Sequence, residues 1–347
     1  MKRISLLAGI AGLLALVILG AAKQLPEITV VSYGGGAYQD SHRAAFISPF
    51  AAKSNVKVNS TSWGAEYGRL QQMVRSGDVS WDVVEVTAAQ YSRGVRDGLY
   101  SPLTRPIPPA TFAPLAGGPV PTPFGVPNVY WSTVFAYQPK AFAHNPTSWR
   151  DFWDVQHFPG SRALYDNPRG TLEFALLADG VARDKLYPLD VDRAFRKLDV
   201  LRPHVRLWWK DGTEPVNALL TNRVVMSSAW SGRIYASAAA RKEIQYTWIG
   251  AAHELDYWVI PRGSRNVELA TEFIHFASTA QPMAKQAAAT AYGPTNALAF
   301  SAIPKTVLPN LPTAPENWRV SFVVNANWWA ANEQKIMQRW TIWRSKR

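Results

Sequence analysis

From residue 28 to residue 86, short β-branched runs alternate with stretches whose apolar residues recur at helical spacing, and that alternation constrains the fold more than anything else in the chain. Ile28 to Val31, Val56 to Ser60 and Trp81 to Val86 read as strands, with helices over Ala37 to Lys53 and Glu66 to Arg75 between them. Strand, helix, strand, repeated, calls for crossover connections and hence a parallel sheet covered by helices. The first strand runs straight into Gly34, Gly35 and Gly36. Bare backbone therefore arrives at the C-terminal edge of a sheet, where open α/β folds have their binding clefts.

The pattern continues beyond residue 100. A Pro- and Gly-rich loop covers Pro102 to Pro127, and the β-prone stretch Val129 to Tyr137 behind it can cross into a second lobe. That lobe is expected to hold a helix over Ser148 to Asp154, a strand near Ala163, helices over Thr171 to Gly180 and Val191 to Leu201, and a strand over Val224 to Ser228. Tyr257 to Ile260 reads as the return crossing, followed by a helix over Val267 to Thr279. A chain of 347 residues exceeds what one core usually organises, so two lobes are expected.

The N-terminus carries Met1, Lys2 and Arg3, then an uncharged run from Ile4 to Ala22 that ends in small residues. This is the pattern of a secretory signal peptide over residues 1–22, with an uncleaved membrane anchor as the alternative. The cysteine count is 0, which excludes a lipidated cysteine and any disulfide framework. The net charge of +12 comes from basic residues scattered along the chain, apart from Arg344, Lys346 and Arg347 at its end, and no nucleic-acid-binding signature accompanies them. A solvated surface accounts for the charge, and no nucleic-acid partner is expected. The 15 Trp and 13 Tyr supply core, and also flat walls suited to cationic or planar ligands.

Catalytic machinery is not visible. The histidines at 42, 144, 157, 204, 253 and 275 have no zinc-ligand spacing, and there is neither a nucleophile elbow nor a phosphate loop. No metal, no cofactor and no enzymatic activity are expected. An exported glycosidase built on Glu85 and Asp256 stays open as a minor alternative, as does a sugar receptor.

Eight segments, in order, carry a family resemblance: Ser32 to Asp40, Trp81 to Val86, Asp97 to Leu103, Ser148 to Asp154, Gly170 to Leu176, Ser228 to Arg233, Leu255 to Gly263 and Ala291 to Asn296. Together they make the chain resemble the periplasmic spermidine/putrescine-binding proteins of ABC importers. The resemblance implies an α/β, two-lobe periplasmic binding protein of type II-like architecture, with mixed sheets flanked by helices and hinged by crossing strands. The lobes are expected at 23–134 with 261–310, and at 135–260, with C-terminal helices over 311–347 packed on them. A periplasmic monomer that delivers a small amine-containing ligand to an inner-membrane permease is the implied function.

A buried ammonium needs an ionised carboxylate and several oxygen acceptors. Asp256, in the slot of the family's ammonium-binding Asp, is the expected anchor, and Glu254, two residues away on an extended segment, a second acceptor. Trp230 resembles the family's cleft tryptophan. Tyr33 with Gly34, and Trp63 with Gly64, lie at strand ends of the first lobe, Glu85 ends the third strand, and Tyr292 can wall the cleft. Glu173 reads as a helix N-terminal acid before it reads as a ligand contact. Arg233 departs from a polyamine site, because a guanidinium repels a diamine and clamps a carboxylate. It leaves a zwitterionic ω-amino acid such as 4-aminobutyrate as the competing ligand.

Overall fold

A computed structural model describes residues 25–34 and 36–345, so the expected leader lies outside the described residues. The longer strands are β1 (Glu27–Tyr33), β2 (Lys57–Trp63), β3 (Val83–Thr87), β4 (Val126–Tyr137), β5 (Arg162–Tyr165), β6 (Val205–Trp209), β7 (Met226–Trp230) and β8 (Gln245–Pro261). They join in the order β2-β1-β3-β8-β4-β7-β5-β6. Parallel pairs, β2 with β1 and β1 with β3 at one end and β7 with β5 and β5 with β6 at the other, flank an antiparallel centre. The result is a mixed α/β fold of two lobes sharing one curled sheet.

The centre differs from the sequence expectation. β8 is 17 residues long and β4 is 12, and the two pair with each other through both lobes. Of β8, the sequence pattern marks only Tyr257 to Ile260 as strand. From Gly250 to Pro261 every β8 residue is buried, yet the run contains His253, Glu254 and Asp256, which interrupt the apolar signal that a doubly covered strand normally gives. Val126 and Pro127, assigned to the loop, likewise belong to β4.

One lobe packs Val30, Phe46 and Phe50 against Phe273, Ile274 and Met283 on one face of the sheet, and Val31, Leu70, Val84 and Val259 on the other. The second lobe packs Phe135, Trp149, Phe152, Leu172 and Leu198 on one face, and Val134, Trp209, Leu219 and Val224 on the other. The single helix expected over Ala37 to Lys53 is Gly36–His42 and Ser48–Ser54 with a π-helical turn, Arg43–Ile47, between them. Pro49 has no N–H to give a preceding carbonyl, and the wider turn absorbs that mismatch.

The C-terminal helix Ala326–Ser345 explains the tryptophan density of the tail. Its Trp329, Trp340 and Trp343 are buried in the second lobe's core, and each indole N–H donates to a carboxylate: Glu173 at 2.7 Å, Asp166 at 3.0 Å and Asp199 at 2.7 Å. The same helix accepts from the first lobe, where Arg96 donates to the Ala330 carbonyl at 3.1 Å. No helix among the described residues is long and apolar enough to cross a membrane.

Candidate functional site

Strand ends from both lobes converge on a cavity of about 430 Å³. Of the residues expected at the cleft, Tyr33, Gly34, Trp63, Trp230, Arg233, Asp256 and Tyr292 line it, together with Gly64. Gly34 is required by proximity, since a Cβ there would lie 2.9 Å from the Ser62 hydroxyl on β2. The walls are aromatic. Tyr33 stacks over Trp63 at 6.4 Å, while Trp131 and Tyr165 meet Trp230 edge-on at 5.8 Å and 5.6 Å.

Two expected contacts are corrected. Glu85 is completely buried and does not reach the cavity. Glu85 sits two residues short of the end of β3, on the same face as Thr87 but deeper, where Tyr38 of the helix Gly36–His42 and Asn128 of β4 donate to its Oε1 at 2.7 Å and 2.6 Å. Thr87, one side-chain period further on, is the residue of β3 that lines the cavity. Glu254 also stands back from the wall, because its Oε2 pairs with Arg169 Nε at 2.9 Å. Glu173 is structural: Gly170 N–H and Trp329 Nε1–H donate to it at 2.9 Å and 2.7 Å.

The residues missed from sequence include Tyr38, Trp131, Tyr165, Arg169, Lys210 and Asp211. Arg169 stands at the head of the helix Pro168–Ala178, where Arg169 itself is extended and Gly170 has φ +82, a kink that turns the chain at the cleft. The Asn167-Pro168-Arg169-Gly170 run just past β5 was the available signal. Arg169 also pairs with Glu333 of the C-terminal helix at 3.4 Å and donates to Thr87 Oγ1 across the cleft at 3.4 Å. Burial alone would lower its pKa; the Glu254 and Glu333 carboxylates outweigh that and hold it charged.

The cavity is bipolar. Burial first, and then the Glu85 carboxylate, push the Asp256 carboxyl well above the ordinary range. Trp131 turns its indole N–H toward Asp256 without reaching hydrogen-bond geometry. Arg233 comes from the helix Ser231–Ala236 of the second lobe and donates to the Gly34 carbonyl of the first at 3.3 Å, with its guanidinium 5.9 Å from the Tyr38 ring. Buried Tyr33 Oη, Trp131 Nε1, Trp230 Nε1 and Asp256 Oδ1 have no hydrogen-bond partner among the described residues, and all belong to lining residues. Orphaned buried polar atoms cost free energy unless something else satisfies them, so their concentration in one cleft marks a site built for a polar ligand. A wider depression of about 780 Å³ on the flank, lined by Trp149, Arg183 and Ile249 among others, contains none of the residues expected at the cleft.

A family model described as bacterial extracellular solute-binding protein matches residues 45–313. The chain is 37% identical over 334 residues to a gamma-aminobutyric acid-binding protein of Pseudomonas aeruginosa, covering 94% of this chain and 93% of the relative. It is 28% identical to the spermidine/putrescine-binding periplasmic protein of Escherichia coli over 183 residues, covering 51% of this chain and 50% of that protein. Among solved structures it is similar to a GABA receptor, with a TM-score of 0.83 at 31% identity over 92% of this chain and 99% of the other. Against the AttC protein of Agrobacterium tumefaciens C58 in an open unliganded conformation the TM-score is 0.68 at 30% identity, covering 92% and 99%. Identity and coverage are nearly equal in the last two comparisons.

Proposed function

We propose, from the premise that this chain belongs to the bacterial extracellular solute-binding protein family, that its cleft captures a zwitterionic ω-amino acid of the 4-aminobutyrate kind for delivery to an ABC permease. The observation that carries the reading is that Asp256 and Arg233, opposite charges from different elements, line one aromatic cavity. The ligand's ammonium is assigned to Asp256, with Tyr33 as a further oxygen acceptor, and its carboxylate to Arg233. The methylenes between them are covered by Trp and Tyr faces.

This shifts the ligand from the polyamine expected on the sequence alone. A diamine needs a carboxylate at each end and no cation on the wall, whereas Arg169 and Arg233 both line this cavity and Glu85 and Glu254 are withheld from it. The likeness to a gamma-aminobutyric acid-binding protein, at 37% identity over 94% of this chain, supports the same choice over the 28% identity to the Escherichia coli spermidine/putrescine-binding protein across half of it.

Mechanistically the protein binds and releases. Contacts from both lobes give the ligand higher affinity for the closed arrangement, and that differential affinity shifts the population toward the form that docks on the permease. The protein acts outside the cytoplasmic membrane, with export directed by the N-terminal leader, and works as a monomer. Calorimetric titration of the purified protein with 4-aminobutyrate, putrescine, spermidine and maltose tests the reading. Binding of 4-aminobutyrate at least tenfold tighter than either polyamine is expected; tighter polyamine binding, or binding of maltose alone, overturns it.

A further inference from the structure

Behind Asp256 lies a second acid that touches no cavity wall. Glu85 accepts on Oε1 from two neutral donors, Tyr38 and Asn128, and the Tyr33 backbone N–H also faces the carboxylate, while its Oε2 has no hydrogen-bond partner of good geometry among the described residues and stands 3.8 Å from His42 Nε2. His42 supplies no charge: burial drives its pKa down to about 3, and its Nε2 is 2.8 Å from the Gln286 amide. Among the described residues neither Glu85 nor Asp256 forms an ion pair with an arginine or lysine. On the adjacent strands β3 and β8, Thr87 stands across from Asp256 and Glu85 across from Trp258, so the two acids share one face of the sheet; buried carboxylates so placed repel, which favours keeping one proton between them.

We propose that ligand capture is proton-coupled: the ammonium that settles on Asp256 displaces a proton held jointly by Asp256 and Glu85 and releases it to solvent. The inference rests on the reading of the cleft as an ammonium site. The step balances, because the ligand nitrogen keeps its three hydrogens, the carboxylate pair loses one proton, and no carbon–nitrogen bond changes. Glu85 is thereby a positioning residue that never meets the ligand.

The other groups facing the pair do not remove the repulsion. Tyr33 from β1, Tyr38 from the helix Gly36–His42 and Tyr292 after the helix Ala280–Thr290 have hydroxyls pushed up by burial and stay neutral. Glu254, on β8 itself, adds negative charge, and Arg169 shares its positive charge between Glu254 and Glu333. Arg233, from the helix Ser231–Ala236, acts on Tyr292. Burial pushes both Glu85 and Asp256 upward, so the pair gives up its proton above the ordinary carboxylate range.

The sign is fixed. The free pair binds the proton and the complex does not, so affinity rises with pH until the free pair is itself ionised. Titrating the wild-type protein with 4-aminobutyrate at about pH 6, in buffers of different ionisation enthalpy, is expected to show release of about one proton per ligand, with affinity tightening roughly tenfold per pH unit between about pH 5 and 7. In Glu85→Gln, which keeps an acceptor for Tyr38, the release falls to less than half and the pH dependence flattens. Binding without proton exchange in the wild type overturns the proposal, and undiminished release in Glu85→Gln overturns the shared pair. Failure of 4-aminobutyrate to bind at any pH overturns the ammonium-site reading and this inference with it.

Discussion

In the proposed reading Asp256 and Arg233 divide the recognition between them, and each can be removed separately. Asp256→Asn keeps the shape and deletes the charge; it is expected to weaken 4-aminobutyrate binding by about 2 to 5 kcal/mol in calorimetry, the typical cost of unpairing a buried ion. The thermal stability of the unliganded protein should not fall, because burying that acid without an ionic partner costs the free protein stability. Arg233→Gln should weaken 4-aminobutyrate by more than tenfold and raise putrescine relative to it, since the repulsion of a second ammonium goes with the guanidinium. A uniform loss for both ligands would contradict the assignment of Arg233 to the carboxylate. At this scale the sequence located side chains at strand ends well, because a strand's terminus is where it meets a cleft. It misjudged Glu85 and Glu254 because residues two apart share a face, so the period of 2 does not separate Glu85 from Thr87 or Glu254 from Asp256, and because Arg169, the partner that holds Glu254 back, is 85 positions away in a run that reads only as a helix start.

Two elements carry the link between site and scaffold. The helix Ser231–Ala236 approaches the first lobe so closely that a Cβ on Gly232 would meet the Tyr292 ring and come within 2.7 Å of the Thr290 carbonyl. Gly232→Ala is therefore expected to leave the melting temperature of the unliganded protein within about 2 °C of wild type, since the lobes can part, while weakening 4-aminobutyrate more than tenfold; an unchanged affinity would show that this contact plays no part in closure. The C-terminal helix is the second element. Trp329→Phe keeps most of the buried ring but leaves Glu173 without the indole donor, and should lower the denaturant-unfolding free energy by about 1 to 3 kcal/mol with an unchanged slope. The tail's tryptophans were visible in sequence without a role, because their carboxylate partners Asp166, Glu173 and Asp199 lie in the second lobe, far along the chain. β8 was legible only at its end for a related reason: buried His253, Glu254 and Asp256, of which Asp256 lines the cavity, break the apolar pattern that marks a central strand.

For the whole molecule, the alternation of strands and helices was enough to predict two α/β lobes, while the single sheet that unites them depends on β4 pairing with β8, more than a hundred residues apart. That pairing makes the antiparallel centre a hinge common to both lobes and brings Asp256 to the floor of the cleft. Ligand that bridges the lobes stabilises the native state by mass action, about 2.7 kcal/mol at a hundredfold excess over Kd. The central claim is the polarity of the bound ligand, and a crystal structure of the complex with 4-aminobutyrate tests it most directly. The account predicts the ammonium within about 3 Å of the Asp256 carboxylate and the carboxylate on Arg233; the reverse orientation, or a ligand bound away from both residues, would contradict it.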